Sequence, residues 1–263
     1  MPFPDSTRVI YQKNPLTEVI CQLRFPPILR IDAEAPAAFQ EKVRQQYPLY
    51  QEAIQQDVLL PQLPKQIAQR LSEELGARKL GTAHDFLSAE GEWTVGLTRD
   101  FLALSTRVYE RWEQFAEHLE LPFQALREVY SPPFFTRIGL RYQNVIQRSA
   151  LELEEVGWSE LLQPYIIGEL SSPVVAKAIE FTLRHTVIRL AEGNGHVRIS
   201  HGLVEIPNSG EACYMIDSDF YSDQKTEPQD AFNQLKAFNM QARRLFRWCI
   251  TDRLHQAMGP QPI

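Results

Sequence analysis

A run of thirteen residues near the middle of the chain, Phe134 to Ile146, alternates apolar and polar side chains and reads as one long strand. Phe134, Thr136, Ile138, Leu140 and Tyr142 fall on one face, which has the composition of a core. Phe135, Arg137, Gly139, Arg141 and Gln143 fall on the other. Two arginines in the middle of a sheet need partners, either carboxylates of the fold or an anion from outside. The position of this strand, after one sheet-plus-helix unit and before another, makes it the seam of the molecule.

Other strands show the same period of two. Glu18–Phe25 places Val19, Cys21, Leu23 and Phe25 on one face and is ended by Pro26-Pro27. His84–Ala89, Trp93–Thr98 and Phe101–Tyr109 form a meander with short connections, and a third strand at Ala212–Tyr221 completes a second one. In that second meander Lys177–Leu190 and His196–Ile206 make a hairpin around Gly193-Asn194-Gly195, in a register that sets Glu192 opposite His196 and His201 opposite Val187. Helical stripes run through Ala35–Tyr47, Glu110–Tyr130 and Asp230–Met258, the second interrupted at Pro122, where a kink or split is expected. Residues 50–83 read as a variable excursion with one weak helix at Lys65–Leu75.

Antiparallel meanders with long helices on one face define an α+β protein. Two architectures fit. One is a pair of similar sheet-plus-helix halves, 1–148 and 173–263, joined by a connecting segment at 149–172 and packed as one unit. The other is a helix-grip arrangement around a cavity. The first is favoured because the helix at Glu110–Tyr130 breaks the strand run.

With 263 residues the chain can bury a large core without staples. Its net charge of −6 argues against a nucleic-acid binder that relies on counterion release. Cys21, Cys213 and Cys249 are far apart in apolar surroundings and read as buried free thiols in a reducing cytoplasm. No apolar run approaches membrane-spanning length, so no membrane association is expected. The nucleotide-binding GxxxxGK[ST] and GxGxxG, the hydrolase GxSxG, the metalloprotease HExxH and paired-cysteine zinc motifs do not occur. No catalytic residue and no cofactor is therefore assigned.

Arg24, Arg137 and Arg141, with Arg184 and Arg189 as possible additions, form a candidate cationic face. It reads either as an anion or partner-docking surface or as arginines paired with Glu18, Asp85 or Glu180. Tyr142 and Asn144 would add hydrogen bonds to the same pocket, unless Asn144 simply caps a turn. His185 and His201, as diagonal neighbours on one face, are weak metal candidates, because a third ligand is missing and Glu180 and Glu205 lie too far around the pleat. Two half-buried histidines are the plainer reading. Trp112, Phe115 and Phe123 read as core, and Arg243, Arg244, Arg247, Asp252 and Arg253 as a solvated helix face.

The segments Asn14-Pro15-Leu16-Thr17-Glu18-Val19, Leu23-Arg24-Phe25-Pro26 and Ile138-Gly139-Leu140-Arg141-Tyr142-Gln143-Asn144 resemble a sporadically distributed family of uncharacterised bacterial proteins of about this length. The ending Phe246 … Ile250-Thr251-Asp252 … Leu254 … Met258 is similar too. The resemblance implies a prokaryotic host and patchy occurrence, a pattern associated with toxin–antitoxin or defence cassettes, and brings no activity with it. The function expected is a non-catalytic interaction protein, antitoxin-like or chaperone-like, with an acidic or anionic protein partner or a second copy of itself. The alternative is a helix-grip-like binder of a small anionic ligand, or an enzyme, with Arg24, Arg141, Tyr142 and His185 lining the cavity. Nucleic-acid binding is the weakest reading.

Overall fold

The computed structural model describes residues 2–54, 82–191, 195–205 and 210–263. The expected helix at Lys65–Leu75 and the Gly193-Asn194 turn lie outside them. In chain order the elements are β1 (Val9–Tyr11), β2 (Leu16–Arg24), α1 (Arg30–Ala33), α2 (Ala37–Val43), β3 (Leu49–Ile54), β4 (Thr82–Leu87), β5 (Trp93–Leu97), β6 (Phe101–Thr106) and α3 (Trp112–Tyr130). They continue as β7 (Arg137–Ile146), α4 (Trp158–Leu161), α5 (Pro164–Ile167), β8 (Thr182–Arg189), β9 (His196–Glu205), β10 (Ala212–Ser222), α6 (Ala231–Cys249), α7 (Asp252–Ala257) and β11 (Pro260–Pro262).

Nine strands form one antiparallel sheet in the order β3-β4-β5-β6-β2-β7-β10-β9-β8. The α+β class and the helices on one face are as the patterning predicts. A strand, short helices, a meander and a long helix occur twice in succession, and β2 and β7 pair at the centre, with Cys21 opposite Leu140 and Leu23 opposite Ile138. The first meander holds one strand more than the sequence pattern shows, because β3 falls where a variable excursion is expected. The three-residue strands β1 and β11, too short for a period to register, make a separate ladder.

One face of the sheet carries the core. Val19, Cys21, Leu23, Leu104, Ile138, Leu140, Ile216 and Phe220 on it are fully buried. Each large apolar side chain among them contributes about 1.5–3 kcal/mol through burial. Both long helices cover this face: Phe115 of α3 packs on Trp93, Phe238 of α6 on Phe220, and the two helices meet through Phe123 and Phe232. The alternation of the central strand begins only at Arg137. Ahead of it the chain is irregular, so Phe135 is the buried residue, packed on Phe123, while Phe134 is only half-buried under Lys225.

At Pro122 the split does not occur, and the terminal helix departs from expectation, each for an identifiable reason. Helix α3 runs unbroken from Trp112 to Tyr130. A proline lacks the N–H that would bond the carbonyl four residues back, here that of His118. The Tyr47 hydroxyl, donating to that carbonyl at 2.9 Å, takes its place. The terminal helix, expected to be continuous to Met258, is instead broken at Ile250-Thr251. Ile250 is extended and bridges to Leu162, and the Thr251 N–H donates to the Leu161 carbonyl. The Thr251 hydroxyl then accepts from the Leu254 N–H and caps α7.

Candidate functional site

The sheet-face arginines are matched from within. Arg141 donates to both carboxylate oxygens of Asp217, at 2.8 Å from Nε and 2.5 Å from Nη2. Arg137 reaches Asp219 at 3.0 Å and Asp223 at 3.4 Å, and lies over the Tyr221 ring. The partners are therefore three aspartates of the β10 side, not Glu18, Asp85 or Glu180, because β10 is the strand that pairs with β7. A Cβ on Gly139 would stand 2.7 Å from Arg137 Nη1, so the glycine in this strand leaves room for a guanidinium lying flat along the sheet. Arg24 is opposite Arg137 and, among the described residues, donates only to Gln22 Oε1. Arg184 is paired with Glu169.

Tyr142 and Asn144 do not join these arginines. They follow the pleat to the opposite, helix-covered face, with Tyr142 opposite Ser218 and Asn144 opposite Ile216. The histidine pair is separated in the same way. Arg184, not Val187, stands opposite His201; Ser200, not Leu203, stands opposite His185; and Arg189, not Glu192, stands opposite His196. An odd shift of register puts the two histidines on opposite faces. His185 bonds Ser200, and buried His201 bonds the Tyr214 hydroxyl, which donates to the Ile166 carbonyl. Burial, aided by Arg184, pushes the His201 pKa down to about 4. Among the described residues no group of three or more His, Cys, Asp or Glu side chains is placed to hold a metal ion. Cys21, Cys213 and Cys249 are buried free thiols.

On the helix-covered side the structure opens a cleft of about 780 Å³ between the arm that precedes β1, the start of α3 and the C-terminal half of α6. Phe3, buried on Trp248, anchors the arm. Arg8, Arg111, Arg243, Arg244 and Arg247 line the cleft against the carboxylates of Asp5, Glu110 and Asp252. Thus three arginines expected on a solvated helix face instead form a wall. Asn239, Arg243 and Arg247 follow one another at four-residue spacing along one side of α6. Like charges at that spacing repel. That repeat, with no acid between Arg243 and Arg247, is the signal in the sequence that points to the wall.

The wall's contacts are uneven. Arg8 pairs with Glu113, Arg244 with Asp5 at 2.8 Å, and Arg247 with Asp252. Arg243 donates to the Ser6 carbonyl at 2.6 Å and enters no ion pair among the described residues. Burial and the adjacent Arg244 lower its pKa from the usual guanidinium value, which still leaves it charged at neutral pH. The floor is neutral and polar. Asn239 Nδ2 donates to the Tyr142 hydroxyl at 2.7 Å and to that of Tyr109 at 3.1 Å. Burial raises Tyr109 to about 12 and Tyr142 well above the ordinary phenol value, so both keep their protons. Burial and Arg247 hold His255 below the ordinary imidazole value, and its Nδ1 shares a hydrogen bond of 2.8 Å with Tyr11. Fixed cations on the wall and uncharged hydrogen-bonding groups on the floor are suited to holding an anion with polar substituents.

Of the residues singled out by the sequence, Tyr142 and Asn144 line this cleft, while Arg24, Arg137, Arg141 and His185 do not. No family model and no curated protein matches the chain. No helix among the described residues is long and apolar enough to cross a membrane.

Proposed function

We propose that this is a binding protein that recognises an anionic partner, and that the recognition site is the arginine-lined cleft and not the open sheet face. The observation that carries this reading is Arg243, a partly buried guanidinium that lines the cleft among other arginines and has no carboxylate in ion-pair contact among the described residues. A guanidinium carries five donors and is costly to bury without an anion. The sheet-face arginines argue the other way, since Arg137 and Arg141 have their carboxylates inside the fold.

The test is calorimetric titration with small anions at constant ionic strength, comparing the native chain with Arg243→Gln and Arg24→Gln. Binding that survives Arg24→Gln and is lost in Arg243→Gln is the expected result. Loss in Arg24→Gln alone would move the site to the sheet face, and no anion binding by the native chain would end the reading.

A further inference from the structure

The floor of the cleft narrows the chemical class of the anion, an inference that rests on the cleft being the anion site. Tyr142, Asn144 and Ser218 occupy adjoining positions of β7 and β10 on the face that otherwise forms the core, and are 5, 5 and 2% exposed. Apolar residues flank them on the same strands, Leu140 and Phe220 on one side and Ile146 and Tyr214 on the other. Polar groups in such a place carry a desolvation cost that needs hydrogen bonds to offset it. Their internal bonds use only part of their capacity. Asn144 Nδ2 donates to the Ile216 carbonyl at 3.3 Å, and Ser218 Oγ donates to the Tyr142 carbonyl at a long 3.4 Å. The Asn239–Tyr142–Tyr109 network ends on a phenol that lines the cleft.

Asn239 and Arg243 are one helical turn apart, so the hydroxyl-rich floor and the cationic wall are separated by about 6 Å. That is the reach of a phosphate group across a small sugar. The arm marks the anion position: the Asp5 carboxylate, itself exposed, rests on Arg244, whose side chain is only 13% exposed. The neighbouring Ser6 Oγ is buried without a hydrogen-bond partner among the described residues and also lines the cleft. An acidic peptide would engage the wall and leave these neutral floor groups unused. A polyhydroxylated molecule both donates and accepts, as tyrosine, asparagine and serine require.

We infer that the cleft takes a phosphate monoester of a small polyhydroxylated molecule, a sugar phosphate or the ribose phosphate of a nucleotide. Its phosphate lies on Arg243 and Arg244, replacing Asp5, and its hydroxyls lie on Tyr109, Asn239 and Asn144. The experiment is titration of the full chain with ribose 5-phosphate, inorganic phosphate, ribose and an aspartate-rich peptide at one ionic strength. Ribose 5-phosphate should bind about tenfold more tightly than inorganic phosphate, the worth of one or two net hydrogen bonds. Tyr109→Phe and, as a second variant that removes only a long internal bond, Asn144→Ala should erase most of that advantage while retaining phosphate binding; Arg243→Gln should remove both. Equal affinity for the two phosphates, or tighter binding of the peptide, would overturn the ligand class and leave the anion site standing. Failure of phosphate, sugar phosphate and peptide alike would overturn both.

Discussion

Two sets of arginines, one on the sheet and one on the last long helix, show how the same side chain serves opposite ends. On the sheet, Arg137 and Arg141 sit beside a strand that offers Asp217 and Asp219 at alternate positions, and each guanidinium finds a carboxylate one strand away. On α6, Arg243, Arg244 and Arg247 follow one another with no acid between them. Arg244 and Arg247 pair with carboxylates of the arm and of the start of the next helix. Arg243 feels Asp5 only at a distance and makes no ion-pair contact among the described residues. The first arrangement closes on itself and stabilises the fold. The second stays open to the cleft. An arginine's neighbours on the adjoining element, rather than its own position in a pattern, decide which it becomes.

That contrast can be broken most directly at Asp217. Replacing it with Ala strands Arg141, a partly buried cation whose pKa the carboxylate holds above the usual guanidinium value. A loss of about 3 kcal/mol is expected in chemical denaturation, and the double variant Asp217→Leu/Arg141→Met should recover most of it. A loss no larger in the single variant than in the double would mean the pair is not a closed unit.

A second closed arrangement of the sheet, His201 on Tyr214 on the Ile166 carbonyl, should show itself as a pH response. His201 is held neutral, with its pKa lowered to about 4 against 6.5 when unfolded. Between those values the unfolded chain binds the extra proton, so stability is full above pH 6.5 and declines as pH falls toward 4. Roughly 2 kcal/mol should be lost through this group between about pH 7 and about pH 4.5. Denaturation curves of His201→Phe across that range should show a shallower decline, and curves parallel to those of the native chain would mean that His201 does not carry the response.

The smallest effect on stability is expected where the effect on binding is largest. Arg243→Gln removes one cation from among several, so the denaturation midpoint should move by no more than about 0.5 kcal/mol in equivalent free energy. A collapse of stability in this variant would show that the wall, like the sheet arginines, exists to hold the fold together.

Much of the architecture is legible in the sequence because its signals are local. The period of two marks β2, β4 to β6 and β7 to β10, and the stripe Trp112, Phe115, Leu119, Phe123 and Leu126 marks the buried side of α3. The alternation by itself puts Tyr142 on the core face, where the structure has it; joining Tyr142 and Asn144 to Arg137 and Arg141 in one pocket runs against that pleat. What local signals miss is long-range. The hairpin of β8 and β9 pairs three positions away from the expected register, and an odd shift exchanges the faces of every residue on one strand relative to the other.

The amino-acid sequence by itself determined the class of fold, the strands that alternate and the helices with an apolar stripe. Only the tertiary structure decided which carboxylate each arginine meets, that Tyr47 fills the gap left by Pro122, and that Ile250 leaves the helix to pair with Leu162. It also brought the arm against the C-terminal half of α6 and so built the cleft. Periodicity is written in neighbours a few residues apart. Ion pairs and a cleft depend on groups separated here by 76 residues for Arg141 and Asp217 and by 237 for Ser6 and Arg243, which only the folded chain brings together.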